Sequence, residues 1–336
     1  MRSMQPVSPH IFGVDRPVDE SVEISVRNTA ADPSIDKRIE AVAQDFRRTV
    51  PTGKEFEAAI GSIIRDAVDY VIDAPNMRRY AIDDLEPDEK TTIGKRIERL
   101  IRMRFKIPKG EKLDIRLAGE DVDIKTSCTT SRSWMFSKSN VDHINLLIAY
   151  DERTATFAMG LVLVTEDILG AHNQDRKRGI LSSRAAGKKA ANGGGETVKG
   201  RIFWLVEKHH YPPNFLPTID ENVLQRIVAG KTGAERVRRL LTEVTGRPIP
   251  GRAIDAVANQ QDPKRRSRGL DGARGKLWSK KGLLVLSGKF TRDSDIARAS
   301  LGIGLRPDET LSLSRDHPAL TTKLVQTYAE NHRLKF

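Results

Sequence analysis

The chain has a single cysteine, Cys128, in 336 residues. One thiol excludes an intrachain disulfide framework and any zinc site built from several thiolates. Its expected place is a half-buried position at the end of a strand. Long apolar runs are also missing. The most hydrophobic stretches, "INLLIAY" and "MGLVLV", are far too short to span a bilayer. The opening "MRSMQPVSPHIFGVD" carries no apolar core of a secretory signal, so a cytoplasmic location is expected. No internal repeat is present. Acidic charge is outweighed: 45 Asp and Glu stand against 57 Lys and Arg, a net charge of +12. A surplus of that size points to a polyanionic partner, nucleic acid first and an anionic membrane surface second. Hydrophobic residues at 38% and charged residues at 30% argue against wholesale disorder. The length allows two domains.

Residues 1–36 mix Pro, Ser, Asp and Glu with few large apolars and read as a poorly ordered arm. From "IDKRIEAVAQDF" the apolar spacing becomes helical. Ile60, Ile63, Ile64, Ala67, Val68 and Val71 line one face of a second helix. Ile93, Ile97, Leu100 and Ile101 line a third. The period then drops to two, and further strands are expected at 144–150 and 157–165. An α/β domain over 37–210 ends at Tyr211-Pro212-Pro213-Asn214, because paired prolines cannot continue a helix or a central strand. Over 211–336 short helices lead into a basic segment and then "KKGLLVLSGKF", a strand or small hairpin. That order predicts a mainly α, winged helix-turn-helix domain.

The sharpest chemistry lies in "LDIRLAGEDVDIKTS", residues 113–127. Alternation places Leu113, Ile115 and Leu117 on one side of the first arm and Asp114 and Arg116 on the other. Ala118-Gly119-Glu120 supplies the turn. On the second arm Asp121, Asp123 and Lys125 share a face opposite Val122 and Ile124. Hydrolysing a phosphodiester needs an activated water and a stabilised pentacovalent charge. Carboxylate oxygens holding Mg²⁺ can serve both, and an ammonium assists either. Asp114 opposite Asp123 could bracket one ion, with the Ile124 carbonyl as a further ligand. Lys125 is placed to contact the attacking water. Glu98 could supply a third carboxylate, and Gly94, one helical turn earlier, would let that helix approach closely. Solvated charge on a sheet face is the competing explanation for all of these residues.

The order acid, hairpin, acid, any residue, lysine looks like the PD-(D/E)xK nuclease motif. The longer run is similar to the NaeI type II restriction endonuclease family. The likeness is carried by "KLDIRLAGEDVDIKTS", Trp134-Met135, "INLLIAYDE", "MGLVLV", "NQDRKR", "WL" followed by "PPN", "VAGKTGAERVRRLL", "VANQQD" and Gly272-Ala273-Arg274. It covers both domains. The resemblance implies a restriction-endonuclease-like core, a central mixed sheet flanked by helices, with Glu98, Asp114, Asp123 and Lys125 as the catalytic set. It departs from the motif's proline, since Leu113 precedes Asp114. It further implies a restriction–modification enzyme with a two-site mechanism. The nuclease domain would cut one duplex while a C-terminal domain like that of catabolite activator protein holds a second DNA copy as activator. A homodimer would face the two strands of a palindrome.

Between Lys264 and Lys281 eight Lys or Arg oppose one acid, Asp271. Lys264, Arg265, Arg266, Arg268, Arg274 and Lys276 are therefore expected to contact DNA. The loop 171–201 carries eight Lys or Arg against two acids. There Asn173, Arg176, Lys177 and Arg178 are candidates for reading bases in a groove. "AGKTG" at 229–233 fails as a Walker loop, because Gln225 stands where glycine is required. A helix N-terminus there could still cradle a phosphate. The alternative to an endonuclease is a non-cutting winged-helix regulator whose nuclease-like domain serves only dimerisation.

Overall fold

The structure is a computed structural model, and it describes residues 33–51, 55–128, 133–180, 201–258, 263–269 and 272–335. The arm expected at 1–36 falls almost wholly outside them, as does most of the basic 171–201 loop.

Four helices lead the chain: α1 (Pro33–Arg48), α2 (Phe56–Ile72), the single turn α3 (Ala74–Met77) and α4 (Pro87–Arg104). Helix α4 starts as its sequence dictates. Pro87 occupies the first turn, where its missing N–H matters least, and Glu89 reaches back to the Glu86 amide at 3.0 Å. Strands β1 (Ile115–Leu117), β2 (Glu120–Ser127), β4 (Ile144–Asp151), β5 (Thr156–Leu163) and β8 (Phe203–His210) form one sheet in the order β1-β2-β4-β5-β8. Only β2 and β4 pair in parallel, so the sheet is mixed. A smaller sheet, ordered β3-β7-β6, is built from β3 (Met135–Phe136), β6 (Leu169–His172) and β7 (Arg178–Ile180).

Alternation along the central strands sorts side chains into two layers. Ile144, Leu146, Ile148 and Tyr150 of β4 join Phe157, Met159 and Leu161 of β5 in the core shared with α1, α2 and α4. Leu147, Ala149 and Val162 face the other way, packing with Trp134, Phe136, Ile168 and Leu169 beneath the small sheet. Both faces of β4 and β5 are covered, which is why they read as nearly continuous apolar runs.

The C-terminal part is helical: α5 (Glu221–Val228), α6 (Gly233–Glu243), α7 (Gly251–Ala258), α8 (Pro263–Arg268), α9 (Ala273–Lys281), α10 (Thr291–Leu301) and α11 (Thr322–Asn331). Two strands, β9 (Leu283–Ser287) and β10 (Thr310–Ser314), pair antiparallel. The expected wing was a strand or tight hairpin directly after the basic segment. Instead β9 finds its partner only after α10, with Ser287 opposite Thr310. The single basic segment expected here divides into α8 and α9. A local core of Trp278, Leu286, Ile296, Leu311 and Tyr328 holds this end together. The first core continues into α5, α6 and α7, through Leu224, Leu240 and Ile254. Arg252 of α7 also bonds Asp66 of α2, which receives Arg104 of α4 at 2.5 Å. Among the described residues no helix is long and apolar enough to cross a membrane.

Candidate functional site

The β1–β2 hairpin closes through a two-residue loop, because Leu117 pairs with Glu120. Ala118 and Gly119 both have positive φ, 48° and 82°, the backbone that a tight antiparallel turn requires. Glu120 is thus the first residue of β2 rather than part of the turn. Helix α1 clamps the turn from outside. Asp45 accepts the Ala118 amide at 2.6 Å, and Arg38 grips Glu120 with two bonds of 2.8 Å. With Ile115 opposite Val122, the register continues to place Asp114 opposite Asp123.

Asp121 is spent on structure. Its carboxylate accepts the Glu111 and Lys112 amides at 3.1 and 2.8 Å, fixing the loop that delivers Asp114. Those amide bonds, Lys112 first, hold the Asp121 carboxyl below the usual range. Asp114 turns inward and accepts the Ile124 amide at 2.8 Å. Asp123 is buried, 7% exposed, and Lys125 Nζ lies 2.5 Å from its Oδ2. Glu98 arrives from α4. A Cβ on Gly94 would meet Thr126 Oγ1 at 2.2 Å, so only glycine lets α4 lie this close to β2. One turn later Glu98 comes close enough to Asp114 and Asp123 for the three carboxyls to act on one another electrostatically. The four sequence candidates therefore meet at one end of the hairpin.

Crowding three carboxyls has a clear electrostatic consequence. Burial, followed by the charges of Asp123 and Glu98, pushes the Asp114 carboxyl up to about 7. Burial and then the Asp123 charge raise that of Glu98. The cluster lacks positive charge that Lys125 alone does not provide. Hard oxygen donors in that state suit a divalent cation of the Mg²⁺ type. Among the described residues no group of three or more His, Cys, Asp or Glu is already drawn together as a ligand cage. The donor chemistry fits such an ion, and in this structure Lys125 Nζ pairs with the Asp123 carboxylate.

Two asparagines that sequence reasoning passed over complete the site. Asn140, 1% exposed, donates to Asp123 Oδ2 at 2.7 Å. Its carbonyl oxygen accepts the Ser137 amide at 2.9 Å, which settles which way the amide group points. Asn145, the register partner of Asp123 on β4, holds the Asn140–His143 turn through the His143 carbonyl at 2.9 Å. Neutral amides with no periodic spacing leave no charge or hydropathy trace in a sequence.

The expected DNA contacts fall in different places. Asn173, Arg176 and Lys177 form the exposed tip between β6 and β7, where Asn173 Oδ1 accepts the Lys177 amide at 2.8 Å. Arg178 is turned inward, donating to the Gly170 carbonyl at 2.7 Å and pairing with Glu166. It braces the small sheet and is not available as a groove reader. Arg265 and Lys276 are exposed and Arg268 half-buried. The side chains of Lys264 and Arg266 lie outside the described residues. Arg274 departs most from expectation. At 2% exposure it bonds the Val285 carbonyl, Asp293 Oδ2 at 2.5 Å and His332 Nδ1 at 2.7 Å. It is an interior ion-pair residue, not a phosphate contact. The α6 N-terminus is also satisfied already: Thr232 accepts the Glu235 amide at 3.1 Å and Glu235 the Lys231 amide at 3.0 Å. Cys128 is exposed, not half-buried.

A mixed sheet flanked by helices, with acids and a lysine gathered on an edge hairpin, defines a nuclease-like α/β core. The model of the restriction endonuclease NaeI family matches residues 40–315. The Type II restriction enzyme NaeI of Lentzea aerocolonigenes is 30% identical over 230 residues, covering 67% of this chain and 68% of that protein. The chain belongs to the NaeI family of type II restriction endonucleases, site-specific deoxyribonucleases.

Proposed function

We propose that the chain is a Mg²⁺-dependent enzyme that hydrolyses phosphodiesters of double-stranded DNA at specific sites. The observation that carries this reading is the meeting of Glu98, Asp114, Asp123 and Lys125 at one end of the hairpin. Asp114, Asp123 and the Ile124 carbonyl would hold the ion, with Glu98 approaching from α4. When bound, the ion supplies a Lewis acid for the phosphoryl oxygen and acidifies water. The chain's own residues do the rest. Lys125 Nζ orients the attacking water and faces the developing negative charge. Asn140 fixes the rotation of the Asp123 carboxylate, so Lys125 keeps its position. Burial of Asp123 limits competing solvent.

The family relationship supports two finer readings. The C-terminal domain, in its helix-turn-helix role, holds a second DNA copy as activator through Arg265, Arg268 and Lys276. Two copies of the chain set two such centres on opposite strands, with Asn173, Arg176 and Lys177 reaching toward bases. Incubating plasmid DNA with the protein, with and without Mg²⁺, tests the core reading. Discrete fragments are expected with Mg²⁺ only, and none from Asp123→Ala protein. Retained DNA binding without cutting at any pH or metal would leave the non-cutting regulator.

A further inference from the structure

Helix α4 does more than carry Glu98. From Lys95 to Lys109 the chain holds seven Lys or Arg and one acid, Glu98 itself. Two of the seven are committed elsewhere: Arg96 stacks over the Tyr70 ring at 3.9 Å, and Arg104 pairs with Asp66. The other five, Lys95, Arg99, Arg102, Lys106 and Lys109, make no ion pair or side-chain hydrogen bond among the described residues. Four of them are exposed and Arg102 is half-buried.

Their placement is not random around the helix. At 100° per residue, Lys95, Arg99 and Arg102 fall within an arc of about 60°, opposite the buried Ile93, Ile97, Leu100 and Ile101. Glu98 sits at the margin of this arc, close enough for the charges of Arg99 and Arg102 to act on it. Lys106, whose φ of 54° ends the helix, and Lys109 follow as two more exposed cations on the segment that leads to Asp114. Complementing the helix dipole accounts for cations in the last turn only. It leaves Lys95, two turns before the end, and Lys109, beyond it, unexplained. The first turn of the helix carries Asp88 and Glu89, but from Lys95 onward its exposed positions on this arc are all cations.

We propose that this row is a track for the phosphate backbone of the strand being cut, laid alongside the catalytic carboxyls. The inference rests on the nuclease reading above and adds a substrate surface distinct from the hairpin tip and the C-terminal helices. The dimensions agree. Lys95, Arg99 and Arg102 are spread over about 10 Å of helix, about three phosphate steps of one strand at about 3.4 Å of axial rise each, so each cation has a phosphate within reach. A row of cations beside a cluster short of positive charge also offsets the repulsion that a DNA strand would meet there.

The triple variant K95Q/R99Q/R102Q keeps strong helix formers at exposed positions, and Lys95→Glu gives a milder charge reversal should the triple fold poorly. Binding is followed by fluorescence anisotropy in EDTA, where no cutting intervenes. The duplexes are a fragment carrying a site cut by the wild type and a random sequence. Removing three phosphate contacts lowers the slope of log K against log salt by about 2.7. Between 50 and 200 mM salt the wild type then loses affinity roughly 40-fold more than the variant. Both duplexes weaken by the same factor, because backbone contacts carry no sequence information. An unchanged slope with wild-type cutting intact overturns the track and leaves the nuclease reading standing. If the wild type cuts no DNA in Mg²⁺, a lowered slope of the variant on the random duplex alone supports the track and removes the nuclease reading. A variant altered only in oligomeric state by light scattering assigns the row to a second copy and overturns the proposal.

Discussion

Asp114 offers the most informative perturbation, because its environment makes a signed prediction. Its carboxyl is pushed up to about 7 by burial and then by neighbouring carboxylates. The folded chain therefore holds this proton more tightly than the unfolded chain, whose carboxyl titrates near 3.8. The associated stability is full below about pH 4 and is lost as pH rises to and through about 7. The shift sets an upper bound of about 4 kcal/mol. Asp114 is partly exposed, so solvent screening leaves about 1–2 kcal/mol. Asp114→Asn keeps an oxygen to accept the Ile124 amide and removes the charge. In EDTA, urea unfolding followed by circular dichroism should show the variant near wild type at about pH 4, drawing ahead as pH rises, and about 1–2 kcal/mol more stable at pH 8. Adding Mg²⁺ at pH 8 should stabilise wild type and have little effect on the variant. A variant destabilised equally at both pH values would refute the claim that the carboxyls repel one another.

Other substitutions test the supporting structure. Gly94→Ala should cost about 1–3 kcal/mol by overpacking and slow cleavage by displacing Glu98. Adding Thr126→Ala removes the atom 2.2 Å from the new Cβ and should restore both, as thermal melts and cleavage rates will show. Asn140→Ala should lower kcat with KM nearly unchanged, and lose about 1.5–3 kcal/mol for a buried bond to a charged group. A rise in KM alone would contradict its placement against Asp123. Arg274→Ala leaves Asp293 buried at 0% exposure without its guanidinium partner, so unfolding should fall by about 3–5 kcal/mol. A variant of wild-type stability that binds DNA more weakly would return Arg274 to the DNA surface.

Much of the nuclease core was legible because local rules agreed. Period-two alternation set the faces of β2, and the turn at Ala118-Gly119 set its register, so the approach of Asp114 to Asp123 followed from counting. The same counting along α4 put Glu98 beside its buried stripe, and Gly94 marked a close approach of that helix, whose partner, Thr126, only the structure supplies. What failed depended on partners distant in sequence. The apolar run Leu283–Ser287 announces a strand but not that its partner lies beyond α10. A basic run announces cations but not which of them turn inward. Arg274 meets Asp293 19 residues away and His332 58 residues away, and no charge count separates it from Lys276, which stays at the surface. Arg178 misled for the same reason, its partners being the backbone of β6 and Glu166.

The central claim is that Glu98, Asp114, Asp123 and Lys125 work as one centre. Single-turnover cleavage of plasmid DNA in Mg²⁺ by Glu98→Gln, Asp114→Asn, Asp123→Asn and Lys125→Met proteins, and by the Asp114/Asp123 double variant, tests it most directly. Each single change should abolish discrete fragments or slow their release by roughly a thousandfold or more. The double variant should be little slower than either single, as expected of groups acting as a unit. Fragments released at the wild-type rate by any one of the four would contradict the account.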